Sequence, residues 1–193
     1  MLAGGRTFEQ INFADLAIIT FNYDRSLEFY LHTALRNSYG KTDKEVADKL
    51  DELRLIHVHG SLGRLPWQPD IASAIVPFGS CANVYEATKS LKILHETTDE
   101  SPEFEEARNL IRQAQHVYFL GFGFHSANLR RLGVNDAGFP GVVRGTIQGL
   151  APTVRNRVAE EFTVLSSLHS IASPTELWQD KDVYNYLRDH VSL

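Results

Sequence analysis

The sequence predicts an α/β fold, Rossmann-like and three-layered, with a central parallel sheet. Short apolar, β-branched runs alternate with segments of helical period, the pattern of parallel strands joined by crossover helices. Three of those runs end in polar or glycine-rich chemistry: Thr20-Phe21-Asn22-Tyr23-Asp24, His57-Val58-His59-Gly60 and Gly121-Phe122-Gly123. In open α/β sheets ligands bind outside the carboxyl ends of the strands. The three tips therefore predict a site of nucleotide type, with Asn22, Asp24, His59 and Gly121 converging on one crevice.

The run Leu16-Ala-Ile-Ile-Thr-Phe21 reads as a central strand buried on both faces. Leu27, Tyr30, Leu31, Ala34 and Leu35 then recur at helical spacing, with Asp24 placed to cap that helix. A polar stretch over 41–52 suits a second short helix, and Leu53-Arg-Leu-Ile-His-Val-His59 a second strand closed by Gly60. Residues 61–83 show little periodicity, with Pro66, Trp67, Pro69 and Pro77 among apolar residues, as expected of an irregular connection or flap.

Ser101-Pro102 opens a strong helix, because proline is tolerated at the first helical position, and Phe104, Ala107, Leu110, Ile111 and Ala114 form one apolar stripe. The strand His116-Val-Tyr-Phe-Leu120 leads into the glycine turn. A helix over 126–132, a strand over 142–147, a helix over 153–162, a strand over 163–165 and a last amphipathic helix carrying Val183, Leu187 and Val191 complete the order. The sequence contains no internal repeat and no low-complexity tract.

A length of 193 residues suits one large domain or a domain with an insertion. Lys and Arg number 19 against 24 Asp and Glu, a net charge of −5 with no long block of either sign. That disfavours nucleic acid, whose phosphates call for a basic face. No apolar run approaches the ~18–20 residues that span a bilayer, so no membrane partner is expected. The first ten residues lack the order of a signal peptide, and a cytoplasmic location is the expectation. The single cysteine, Cys81, rules out an internal disulfide and a four-cysteine zinc site. It reads as a small packed residue.

Each tip also has a plainer reading. Asn22 and Asp24 serve equally as turn and cap residues. Gly121 and Gly123 fit a tight turn between a strand and a helix, with His125 beside them in no assigned role. His57 and His59, two apart, would share one face of a strand, an arrangement found in ordinary packing and in metal-dependent hydrolases. Trp67 and Phe78 suit loop anchors or a pocket lining, and Arg130-Arg131 a solvated helix face or a phosphate contact.

Taken in order, the three tips resemble the motifs of sirtuins. Thr20-Phe21-Asn22-Tyr23-Asp24 resembles their Thr-Gln-Asn-Ile-Asp, Val58-His59-Gly60 their catalytic Leu-His-Gly, and Leu120-Gly121-Phe122-Gly123-Phe124 the later Gly-Thr-Ser strand end. The variants are similar to those of the bacterial branch associated with NAD hydrolysis and antiphage defence. The resemblance covers residues 16–150 and implies a single sirtuin-like α/β domain over 1–193, with 61–100 as an irregular or helical insertion. It implies NAD as substrate or ligand, with Asn22 and His59 catalytic and Thr20, Phe21, Asp24, Gly121, Phe122 and Gly123 contacting the cofactor. Asn22 would orient the ribose or a water beside the nicotinamide, Asp24 would help hold the carboxamide, and His59 would act as base.

Two family features are not found in the sequence. No strand and Gly-Ala-Gly-x-Ser loop precedes Leu16, so the chain is expected either to be a fragment or to hold the diphosphate differently. No zinc ribbon lies between His59 and Gly121, so neither zinc nor protein deacetylation is expected. Two further functions remain open: a nucleotide-binding or sensing module without turnover, and a metal-dependent hydrolase using His57 and His59.

Overall fold

The structure, a computed structural model, describes residues 6–68, 75–80, 85, 101–134, 142–167 and 178–190. Within the flap, 69–74, 81–84 and 86–100 lie outside the described residues, as do Cys81 and Val191. The chain divides into two compact units, Met1–Glu103 and Phe104–Leu193.

In the first unit a 3₁₀ turn at Phe8–Gln10 precedes β1 (Ala17–Thr20), α1 (Ser26–Tyr39), α2 (Asp43–Leu50) and β2 (Arg54–His57). β1 and β2 are parallel, with Ala17 opposite Arg54 and Thr20 opposite His57. Thr42 starts α2 through a capping box with Glu45, which satisfies amides that the first helical turn leaves open. α1 ends at Gly40 in the left-handed conformation, the usual glycine exit. Phe8, Leu35, Val46 and Leu50 form a core onto which Ile11, Phe13, Leu31, Tyr39 and Trp67 pack.

Two expectations for this unit are corrected. β1 is not buried on both faces: Ala17 is exposed and Ile18, Ile19 and Thr20 are half-buried, with β2 its one paired neighbour among the described residues. The buried face of α1 is corrected in part, since Leu35 of the predicted stripe is buried and Leu31 packs against the core. Leu27 and Tyr30 are exposed, whereas Glu28, His32 and Leu35 are buried. Steps of four and three from Glu28 define as good a helical stripe as the apolar one, and polar partners in the interior select it.

The second unit holds α3 (Pro102–Gln113, opening at the boundary between the units), β3 (His116–Phe119), α4 (Ser126–Arg131), β4 (Val142–Thr146), α5 (Pro152–Ser167), β5 (Trp178–Gln179) and α6 (Val183–His190). The strand order is β3-β4-β5, all parallel. Phe104, Ala107 and Ile111 bury the predicted stripe of α3.

The strand expected over 163–165 is instead helical, because α5 runs unbroken to Ser167. Val154, Val158, Phe162 and Leu165 continue a helical spacing, and extending an existing helix costs far less than starting a new element. The third strand of this sheet is Trp178–Gln179. Parallel strands alternating with helices make the chain α/β, as the sequence predicts and as a Rossmann-like fold requires. No described helix is long and apolar enough to cross a membrane.

Candidate functional site

The carboxyl ends of β1 and β2 lie side by side because the strands are parallel and in register to their last pair, Thr20 and His57. One more bond, from the Val58 amide to the Thr20 carbonyl at 3.1 Å, carries the pairing beyond β2. The chain then leaves β1 as the loop Phe21–Asp24 and leaves β2 as a turn closed by the Gly60 amide on the His57 carbonyl, 3.0 Å. Gly60 takes φ +79°, a conformation glycine adopts without penalty. The Leu62 amide reaches the Tyr23 carbonyl at 3.1 Å and ties turn and loop together.

Both main-chain groups of Asn22 are held. Its amide donates to the Thr20 hydroxyl oxygen at 3.1 Å, and its carbonyl lies 2.7 Å from His57 Nδ1. Its side chain is exposed. Asp24 accepts the Ser26 amide at 2.9 Å, so it does cap the start of α1, although Arg25 occupies the cap position itself. Bonds from Ser26, its side chain first and then its backbone, lower the carboxyl pKa of Asp24, with the His57 charge a smaller contributor.

His59 sits in the turn, only 4 % exposed, with its ring 5.6 Å from that of Phe21 and 6.1 Å from that of Tyr23. The expectation that His57 and His59 share a strand face is therefore corrected. β2 ends at His57, and the turn sends His59 among the aromatic rings of the neighbouring loop. His57 uses both ring nitrogens, the second lying 2.9 Å from Glu28 Oε1. Among the described residues no three His, Cys, Asp or Glu side chains come together as metal ligands.

Burial of His57 favours its neutral ring, but the Glu28 and Asn22 bonds and the charges of Glu28 and Asp24 outweigh that and raise its pKa. Arg25, also buried, donates to the Val76 carbonyl at 2.6 Å; burial lowers its pKa while the nearby Glu28 charge opposes the shift. Arg25 and Glu28 are the members of this region that the sequence reading missed. Their three-residue spacing across the start of α1 was the available signal.

In the second unit the glycine turn follows β3. Gly121 takes φ +61°, and its amide donates to the buried Thr146 hydroxyl at 2.9 Å. Gly121 and Gly123 are exposed and Phe122 is half-buried. Phe124 then takes φ +52°, which is costly for a residue with a side chain. Arg157 holds its carbonyl at 2.6 Å, and its buried ring meets Trp178 edge-on with centroids 5.2 Å apart. His125 precedes α4 without capping it through its side chain.

Comparison with known families matches residues 16–134, more than half of the chain, to the SIR2-like domain. No curated protein and no solved structure gives a significant match. The matched span contains all three strand-end motifs.

Proposed function

The chain belongs to the SIR2-like family, and from that premise we propose that it binds NAD and, when a phosphate-binding element is supplied, hydrolyses the bond between nicotinamide and ribose, with weak binding and slow turnover by these 193 residues alone. SIR2-like domains generally bind NAD. The observation that carries the reading further is the register of β1 and β2, which sets the Asn22 loop and the His59 turn at one strand edge. A carboxamide, a carboxylate and an imidazole at such an edge suit a ribose and its leaving base.

As the carbon–nitrogen bond of NAD breaks, nicotinamide leaves with the electron pair and positive charge develops on the ribose. Water then adds to the ribose carbon and loses a proton. Asn22 orients the ribose hydroxyls or that water, and His59 accepts the proton, a role suited to a group whose ordinary pKa is near ~6.5. Asp24 holds the carboxamide, with Thr20 and Phe21 forming the wall beside it. We assign Gly121, Phe122 and Gly123 to contact with the cofactor on motif resemblance alone. Hydrolysis is favoured over deacetylation because the sequence has one cysteine and therefore no zinc ribbon. On the Asn-Tyr-Asp motif we further propose kinship with the bacterial antiphage branch and a cytoplasmic setting.

The burial of His59 behind Phe21 and Tyr23 favours one second reading, a module that binds the nucleotide without turning it over. Chromatographic assay of nicotinamide, run beside calorimetric NAD binding, separates the two. Release that His59→Ala abolishes supports hydrolysis. Binding without release supports the module, and neither binding nor release leaves a shared fold alone.

A further inference from the structure

The Asn22 loop is held from outside by a chain of polar groups, the half-buried His57 and the buried Glu28 and Arg25, that the proposed chemistry does not use. A carbonyl oxygen only accepts hydrogen bonds, so the 2.7 Å contact with Asn22 requires a proton on His57 Nδ1. In this ring orientation Nε2 faces Glu28, whose Oε1 lies 2.9 Å away and accepts from the imidazole when Nε2 is protonated as well. One imidazole thus joins the end of β2, the loop after β1 and the first turn of α1. Rotating the ring would break both bonds together.

Glu28 is itself buried, and its other oxygen, Oε2, has no hydrogen-bond partner among the described residues. An ionised carboxylate in that position is expensive, and an apolar residue of similar size often packs there at no loss of stability. The buried Arg25 stands nearby as a compensating charge. A costly buried group is explained if it fixes a geometry that packing alone would leave loose. The geometry it fixes is that of Asn22, whose amide is taken by Thr20 and whose carbonyl is taken by His57 while its side chain stays exposed.

We propose that His57 is a positioning residue: its Nδ1–H sets the main chain of Asn22, and Glu28 sets His57. The structural part stands on these contacts, and the catalytic part rests on the NAD-cleavage reading above. Two isosteric variants separate the bonds. The amide nitrogen of His57→Asn overlies Nδ1 and can still donate to Asn22, whereas that of His57→Gln overlies Nε2 and can donate only to Glu28.

Hydrogen exchange over residues 20–26 and steady-state nicotinamide release are measured on both variants, normalised to folded protein. H57Q is expected to accelerate exchange in that segment about tenfold or more and to lower kcat on the order of 10²-fold with a smaller change in KM, the effect of a misplaced group. H57N is expected to recover most of both. Equal losses in the two variants, or wild-type exchange in H57Q, overturn the proposal. A wild-type chain that releases no nicotinamide sinks the NAD-cleavage reading alone, because the exchange comparison still decides the positioning role. Should either variant fail to fold, imidazole nitrogen NMR of the wild-type chain decides. A protected Nδ1 proton on His57 supports the proposal, and an unprotonated Nδ1 refutes it.

Discussion

His57 Nδ1 lies 2.7 Å from the main-chain oxygen of Asn22, across 35 positions of sequence. The histidine of the His-x-His pair that the family motif leaves aside is therefore bonded to the loop that carries the motif's asparagine. His59, the motif histidine, meets the same loop through the Phe21 and Tyr23 rings. The two histidines thus support one loop in different ways, and they differ in what their replacement should do.

The first expectation concerns charge. NMR titration should place the His57 pKa above the ordinary histidine value near ~6.5, and Glu28→Gln should lower it. A raised value means that the folded chain binds the proton more tightly than the unfolded one. The corresponding stability is complete below about pH 6.5 and is lost as pH rises through the folded-state value. Urea denaturation from pH 6 upward should show that loss in the wild type and a smaller one in Glu28→Gln. A His57 titration at or below ~6.5 would contradict the argument.

Replacing His59 with Ala should lower nicotinamide release by about 10²- to 10⁴-fold, the range for loss of a general base. NAD binding, read by calorimetry, should change far less. Unaltered release would assign the proton to another group.

Asn22→Ala should weaken both binding and turnover, because the lost carboxamide orients the substrate as well as the attacking water. Thermal stability should scarcely change, since the side chain is exposed and the bonds made by residue 22 use its main chain. A large fall in melting temperature would mean that the side chain has a structural task.

Gly145→Ala tests the second unit. A methyl group there would overlap the Phe119 carbonyl and lie 2.9 Å from the Trp178 ring, so β4 or the indole must shift. The expected cost is about 1–3 kcal/mol, typical of overpacking, measured by urea denaturation. Gly121→Ala meets only ordinary contact with Val183 and should cost less, about 1–2 kcal/mol, through its positive φ.

The elements were mostly legible because their signals are local. Pro102 at the first turn of α3, the Phe104, Ala107 and Ile111 stripe, and the strand runs before each motif all survive in the structure. The misreadings arose where tertiary partners decide. Glu28 and His32 occupy the buried face of α1 because Glu28 meets His57 and His32 stacks on Trp67 with centroids 4.3 Å apart, contacts that no hydrophobic period reveals. Residues 163–165 look like a strand in isolation but are absorbed by the helix already running through Phe162. The strand-end motifs marked Asn22, Asp24 and His59, yet Arg25 and Glu28 stayed hidden, since charged residues on a helix are normally read as solvated.

The pairing of Thr20 with His57 has a consequence for how the chain reaches this structure. A slip of one residue between β1 and β2 would reverse which side of the sheet each β2 side chain occupies, and would set the isopropyl group of Val58 or the sec-butyl group of Ile56 near the place the imidazole now fills. Neither could donate to the Asn22 carbonyl or meet the Glu28 carboxylate, which would then be enclosed without a donor. Misaligned strands are penalised by that stranded charge, and correct alignment is rewarded only when the last rung closes. The imidazole thereby adds a polar term to the register: strands out of step lose both of its bonds, so the alignment that pairs Thr20 with His57 is favoured over its neighbours.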